Sequence, residues 1–249
     1  MSATRWKGVC AYDGGSFDGW QSQPGSNAIQ DILEARLREI LKTPTRIHGS
    51  GRTDAGVHAL GQVFHFDAEW RHGSERMLAA FRMGLPEKIQ VSSVTAAAPD
   101  YHARFHATGK RYEYNISLGD TDPFKRPYYW SIFRPLDVEA MNAAADVLRG
   151  RHDFTSFTAL NGSKREDSVR DLRRLDVTRR GRAVRVTTEA DGFLYKMVRS
   201  LVGALVSVGE GKLTPLQVGE ILRSKQRTQV IKTAPAHGLF LKKVFYARG

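Results

Sequence analysis

Apolar positions along the chain recur with two periods, near 2 and near 3.6, and this separates strand-like from helix-like segments. Residues 6–12 read as a strand that stops at the turn Asp13-Gly14-Gly15. Ile29, Ile32, Leu33, Leu37, Ile40 and Leu41 then follow at helical spacing. Asn27 with Gln30 has the form of a capping box, Pro44 blocks continuation, and Glu34, Arg36 and Arg38 fall on the exposed face. In residues 62–67, Phe64 and Phe66 alternate with Gln62, His65 and Asp67, a strand pattern that only Val63 breaks. A shorter helix is expected from Ser74, burying Met77, Leu78 and Phe81 before Gly84 and Pro86 end it. The clearest strand covers 111–118, with Tyr112, Tyr114, Ile116 and Leu118 on one face and Arg111, Glu113, Asn115 and Ser117 on the other.

Beyond it, a stretch rich in Pro and aromatics (122–135) leads to a helix capped by Asp137, running through Met141, Ala144 and Leu148 and stopped by Gly150. Residues 161–171, with Lys164, Arg165 and Arg170, read as a mobile basic loop. Segments 172–178 and 182–188 form a hairpin around Arg180-Gly181, with Val184 and Val186 facing inward. Leu194, Met197, Val198, Leu201, Val202 and Leu205 make an apolar helical stripe, while Lys196, Arg199 and Gly203 fall on another side. Thr214-Pro215-Leu216-Gln217 starts a further helix, and 239–246 is a last strand. Each half offers strands and helices in similar proportion, so two α+β domains are expected, residues 1–107 and 108–249.

A length of 249 residues suffices for two cores, and a formal net charge of +12 with one cysteine narrows the setting. The charge implies a polyanionic partner, most simply nucleic acid, and a basic loop such as 161–171 is able to close over RNA. The longest apolar run, 201–208, is interrupted by Gly203 and Ser207 and is far short of the roughly 20 residues that cross a bilayer. The start MSATRWKG has no apolar core behind it, so no secretory signal is expected. Cys10 allows no intrachain disulfide, fits a reducing cytosol, and reads as a small buried hydrophobe. A cytoplasmic location follows from these features.

The chemically costly residues concentrate in 49–67, GSGRTDAGVHALGQVFHFD. Gly49, Gly51, Gly56 and Gly61 are too close for a helix interior, so a tight loop is expected, with backbone conformations that glycine tolerates cheaply. Asp54 sits at its centre and the strand that follows holds it. A Walker loop requires Gly-Lys-Ser/Thr and the dinucleotide fingerprint a third glycine, and neither is present. An ionised Asp in a glycine nest also repels phosphate. The plain alternative is a turn whose Asp caps its own backbone.

As a unit, GSGRTDAGVHALGQV resembles the signature of the tRNA pseudouridine synthase A family. YDGGSFDGWQSQ, RFHATGKRYEY, FLYKMVRSLVGALVSVG and APAHGLFL resemble its other motifs, in the same order, so the resemblance spans nearly the whole chain. Departures are small: Asn27-Ala28 stands where Thr-Val is usual, and Ser168 where Thr is usual. The resemblance implies two ferredoxin-like (RRM-like) domains with adjoining antiparallel sheets and an active cleft between them. It also implies isomerisation of uridine to pseudouridine at positions 38, 39 and 40 of the tRNA anticodon stem-loop, by a homodimer. That reaction exchanges an N-glycosidic bond for a C–C bond without redox change, so no cofactor is expected.

Within the resemblance, Asp54 is the nucleophile, acting either at the sugar carbon or at C6 of the base. A carboxylate in a desolvated cleft stays ionised when a fixed cation opposes it, and the resemblance gives that role to Arg199. An ordinary surface Arg is the competing reading. Arg52 is by resemblance an RNA contact that helps displace the target nucleotide, and a phosphate or stacking contact is the physical alternative. Tyr112 matches the active-site Tyr packed on the flipped base; its plain alternative, a strand core residue, is illustrated by Tyr114 on the same face. Lys110 and Arg111 are expected to touch phosphates.

The eight histidines include His48, His58, His65, His102 and His106, scattered in sequence without zinc-site spacing, so no metal is expected. Nor is there a Gly-x-Ser-x-Gly elbow. Two other classes compete with the isomerase. A noncatalytic RNA-binding protein of RRM-like domains would carry paired RNP aromatics, of which only Tyr112 and Tyr114 are found. A nucleoside or glycoside hydrolase using Asp54 would not need so basic a chain.

Overall fold

The computed structural model describes residues 3–159 and 167–247. The chain is a mixed α and β protein whose strands are mostly antiparallel, and it falls into two compact units. One comprises the residues up to Thr108 together with those from Phe240, the other Gly109–Leu239.

The first unit begins with β1 (Thr4–Tyr12), whose alternating burial places Trp6, Cys10 and Tyr12 in the core. Helix α1 (Ile29–Leu41) buries Ile29, Leu33 and Leu37 as its periodicity requires. Its cap differs from the expected Asn27 and Gln30: the cap residue is Ala28, whose N–H donates to the Asp31 carboxylate at 3.2 Å. Asn27 instead donates to the Ser16 carbonyl, and buried Gln30 donates to the Ile47 carbonyl. Helix α1 ends at Lys42, in the left-handed region (φ 59°), before Pro44 is reached. Glu34 is also not simply solvated, since its carboxylate accepts from the Ile47 N–H at 2.9 Å.

The short β2 (His48–Gly49) and the long β3 (His58–Ala68) flank the Asp54 loop. Strand β3 starts four residues before the expected Gln62, and its alternation does not separate a wet face from a dry one: Gln62 and His65 are as buried as Phe64 and Phe66. Other segments cover these side chains: Gln62 bonds to the Ser50 hydroxyl and the Gly51 carbonyl, and His65 accepts from the Ala103 N–H. In the sheet β3 lies between β1 and β10 (Leu239–Tyr246), with β2 also paired to it. Helix α2 (Gly73–Arg82) buries Met77 and Phe81, and β4 (Ile89–Ala96) pairs antiparallel with β1. Strand β10 runs parallel to β3, Phe240 opposite His58 and Leu241 opposite Ala59. The last strand, expected within the 108–249 domain, therefore goes with the first unit from Phe240 onward. Its local pattern announces a strand but carries no information about the partner.

In the second unit, β5 (Ala107–Leu118, within the unit from Gly109) buries Tyr112, Tyr114 and Ile116, as its alternation predicts. Strand β6 (Trp130–Ile132) pairs with its far end. Helix α3 (Val138–Leu148) is capped by the Asp137 side chain. Strands β7 (Gly150–Asp153), β8 (Val169–Arg180) and β9 (Ala183–Ala190) complete the antiparallel order β5-β9-β8-β7. Residues 161–166 of the expected basic loop lie outside the described residues, and from Val169 that segment, with Arg170, is already strand β8.

Helix α4 (Met197–Gly209) corrects the stripe reading: Ser200, Gly203 and Ser207 are buried along with the apolar positions, and Arg199 is half-buried. The second side is covered by residues 227–234. Gly203 meets the Lys232 carbonyl so closely that no Cβ fits between them. Arg227 donates to the Ser200 and Thr233 hydroxyls, both at 2.9 Å, and pins that segment down. Helix α5 (Pro215–Ser224) carries the expected Thr214–Gln217 capping box.

Candidate active site

The Asp54 loop is held from several directions. At its start, Ser50 N–H donates to the Val63 carbonyl at 2.7 Å, and the Ser50 hydroxyl to Gln62 at 2.7 Å. Gln62 in turn donates to the Gly51 carbonyl at 3.0 Å, so buried Gln62 works as a brace for the loop. Thr53 is buried, its hydroxyl 2.9 Å from that of Tyr12 and its carbonyl accepting from Trp20 N–H at 3.1 Å. A tight turn follows, Val57 N–H donating to the Asp54 carbonyl at 3.1 Å, with Gly56 at φ 76°. Asp54 is thereby left half-buried between a buried Thr53 and an exposed Ala55.

Of the four glycines, Gly56 alone has a positive φ. Gly49 instead makes room for the Trp20 indole, and Gly61 approaches the Lys242 carbonyl, where a Cβ would stand 2.7 Å away. Two further glycines come from the YDGGSFDGW segment: a Cβ on Gly14 would overlap the Val57 carbonyl, and one on Gly19 would meet Thr53 O at 2.5 Å. Two motifs far apart in sequence thus interlock backbone against backbone, with Asp54 between the contact points. Exposed Arg52 leaves the same loop, its Nε donating to Gln21 at 3.1 Å.

The other four candidates lie in the second unit. Tyr112 is buried on β5, directly across from Thr188 on β9, with Phe193 packed edge-on at 5.2 Å. The Thr188 hydroxyl is buried without a hydrogen-bond partner among the described residues, which marks a polar position beside Tyr112. Sequence reasoning missed it, because Thr is an ordinary strand residue. Tyr114 is fully buried and structural: its hydroxyl donates to the Pro235 carbonyl at 2.8 Å, and its ring leaves no room for a Cβ on Gly238. Burial pushes its phenol far above the ordinary range.

Lys110 is half-buried on β5. Arg111, expected to meet phosphate, pairs across the strands with Glu189, Nε to Oε1 at 2.7 Å, and Arg174 also approaches that carboxylate at 3.5 Å. An ion pair at this level of exposure is worth little, so an incoming phosphate can compete for Arg111.

Arg199 sits in the first turn of α4, where the helix dipole disfavours a cation by roughly 0.3 to 1 kcal/mol. The position is fixed twice: Arg199 Nε donates to the Ala234 carbonyl at 2.7 Å, and Ala234 N–H returns a bond to the Arg199 carbonyl at 3.0 Å. The APAHGLFL segment therefore steadies Arg199 through Ala234 and Tyr114 through Pro235. Of the six residues singled out in the sequence, Arg52 and Asp54 share one loop of the first unit. Lys110, Arg111 and Tyr112 share β5, and Arg199 lies on α4 of the second.

The histidines are less scattered in space than in sequence. His48 stacks on His65 (ring centroids 5.0 Å apart), and His65 lies 4.5 Å from His102. The rings pack against one another, and among the described residues no group of His, Cys, Asp or Glu is arranged to hold a metal ion. Burial, with His102 and His48 nearby, pushes His65 down to about 4. No helix among the described residues is long and apolar enough to cross a membrane.

The family model described as tRNA pseudouridine synthase matches residues 9–106 and 144–247, which contain every candidate residue except Lys110, Arg111 and Tyr112. The chain is 42% identical to tRNA pseudouridine synthase A of Limosilactobacillus fermentum, over 97% of this chain and 96% of that one. It is 42% identical to the enzyme of the same name from Geobacillus kaustophilus, over 97% and 94%. Among solved structures it is similar to one titled as a Cbf5-Nop10-Gar1 complex, at 13% identity over 81% of this chain and 45% of that one. The TM-score there is 0.36, too low to say anything about this fold. By the length of the family match and the near-complete cover of these relatives, the chain belongs to the tRNA pseudouridine synthase family.

Proposed function

We propose that this chain isomerises uridine to pseudouridine in tRNA, at positions 38, 39 and 40 of the anticodon stem-loop, with Asp54 as the nucleophile. The observation that carries the assignment is the loop itself: Asp54 is half-buried, and the backbone on both sides of it is locked by Trp20, Gly19 and the Asp54–Val57 turn. Nucleophilic catalysis needs a carboxylate at one fixed place, and a loop braced in this way supplies one.

The reaction breaks the bond from ribose C1′ to base N1, turns the base, and forms a bond from C1′ to C5. N1 gains a proton and C5 releases one. Asp54 forms the transient covalent bond, at C1′ or at C6. Arg199 is the cation that holds Asp54 ionised, and its cost against the helix dipole supports a role other than stability. Tyr112 packs on the flipped base. Arg52, Lys110 and Arg111 meet the RNA backbone, in keeping with the net charge of +12.

Each unit fits a ferredoxin-like pattern. In the first, β1-α1-β3-α2-β4 with the order β4-β1-β3 supports it, and in the second β5-α3-β8-β9-α4 with the order β5-β9-β8. A homodimer in the cytoplasm completes the reading.

Tritium release from tRNA labelled at C5 of uridine tests it, because C5 loses its hydrogen only when a carbon bond forms there. Release with retention of the base in the chain is expected. A noncatalytic binder releases none, and a hydrolase frees uracil; either result would refute the proposal.

A further inference from the structure

Phe105 is 74% exposed, yet the turn that carries it is firmly tied within the first unit. Ala103 is fully buried, its N–H donating to His65 Nδ1 at 3.2 Å and its carbonyl accepting from the Tyr246 hydroxyl at 2.7 Å. The N–H groups of Arg104 and Phe105 both donate to His102 Nδ1, at 3.2 and 3.3 Å. His106 N–H donates to the His102 carbonyl at 3.1 Å. The Phe105 ring then lies on the His102 imidazole, centroids 4.1 Å and planes 28° apart, and His102 is itself backed by His65. Arg104 places its guanidinium carbon 5.9 Å from the Phe105 centroid.

We propose that Phe105 is a stacking platform for an unpaired base of the tRNA, with Arg104 beside it to meet a phosphate. The proposal rests on the reading of the chain as a tRNA enzyme and adds to it a base contact outside the six residues already named. Three features converge on a nucleobase. The ring is flat and open while backed by a second ring, and every base has a π-face to lay on it. The backbone beneath it is fixed before binding, which lowers the cost of ordering the contact. Arg104 supplies a positive charge beside it; of the nearby acids, Asp67 is held bidentate by Arg5 at 2.8 and 2.7 Å, and Asp100 also acts on Arg5. An apolar contact with another protein would need neither the stacked imidazole nor the flanking arginine.

The variants Phe105→Ala, Phe105→Trp, Phe105→Leu and Arg104→Gln are titrated with tRNA over a salt series, and tritium release is followed at saturating tRNA. Phe105→Ala is expected to weaken binding about tenfold while kcat and melting temperature stay near wild type. Stacking releases no counterions, so its log Kd against log salt line runs parallel to wild type. Phe105→Trp restores affinity and Phe105→Leu does not. Arg104→Gln reduces the slope by roughly 0.7 to 0.9, one phosphate contact. A wild type that binds tRNA without releasing tritium would sink the isomerase reading, and the binding comparison would still decide the platform. Affinity of Phe105→Ala within twofold of wild type, a changed salt slope in that variant, or full affinity in Phe105→Leu would overturn the platform.

Discussion

Gly19 lies against the backbone of Asp54: a Cβ at Gly19 would stand 3.0 Å from the Asp54 carbonyl carbon and 2.5 Å from Thr53 O. Gly19 also has φ 84°, a conformation that other L residues adopt at a cost. Gly19→Ala should therefore strain the turn and push the nucleophile's loop outward. Strain of about 1 to 3 kcal/mol lowers the melting temperature by several degrees. A displacement of the nucleophile near 1 Å lowers kcat by about a hundredfold. Thermal melting and single-turnover tritium release read the two effects separately, and wild-type kcat in the variant would show that this contact does not position Asp54.

Arg199 is held by Ala234 independently of any substrate, so its guanidinium is in place before tRNA binds. If it stabilises the Asp54 carboxylate, Arg199→Leu moves the acid limb of the pH–rate profile upward. Arg199→Lys moves it less. Coincident acid limbs for wild type and Arg199→Leu would show that Arg199 is not the partner.

His65 links stability to pH. Burial lowers its folded pKa to about 4, below the ordinary value of 6.5, so the folded chain disfavours the proton and the unfolded chain accepts it. Its contribution is present in full above 6.5 and is lost as pH falls through 4. His48, His102, Arg5 and Asp67 act on it electrostatically and are present in the variant as well. His65→Asn keeps an acceptor for the Ala103 N–H and removes the titration. The unfolding free-energy difference between wild type and this variant, from denaturant titration, should therefore shift against wild type between pH 6.5 and 4, by up to about 3 kcal/mol. A difference that does not vary with pH in that window would refute the assignment.

Much of this fold was legible because local patterns decide local structure. The alternation of Tyr112, Tyr114 and Ile116 and the spacing of Ile29, Leu33 and Leu37 each mark a burial face directly. Asp54 stands out in the sequence as the one carboxylate among the clustered glycines of its loop, and its role as nucleophile comes from the resemblance of GSGRTDAGVHALGQV to the family signature. What was not legible depends on partners distant in sequence. Gln62 and His65 look like solvent positions until Ser50 and Gly51 bond to the one and the 101–106 turn to the other. Gly203 reads as one side of an amphipathic helix until Lys232 packs on it. Gly14 reads as a turn residue, whereas its structural use, like that of Gly19, is to let the Asp54 loop approach. Nothing in the Arg111 segment announces Glu189, with which it pairs across the sheet.

The central claim is that Asp54 is the nucleophile, and Asp54→Asn tests it most directly because the shape is kept and only the nucleophile is removed. Phosphate contacts from Arg52, Lys110 and their neighbours do not pass through Asp54, so the variant should melt like wild type and bind tRNA. In the C5-tritium assay it should release no label above background. Residual activity within about tenfold of wild type, a barrier change near 1.4 kcal/mol, in a folded variant that binds tRNA would contradict the account.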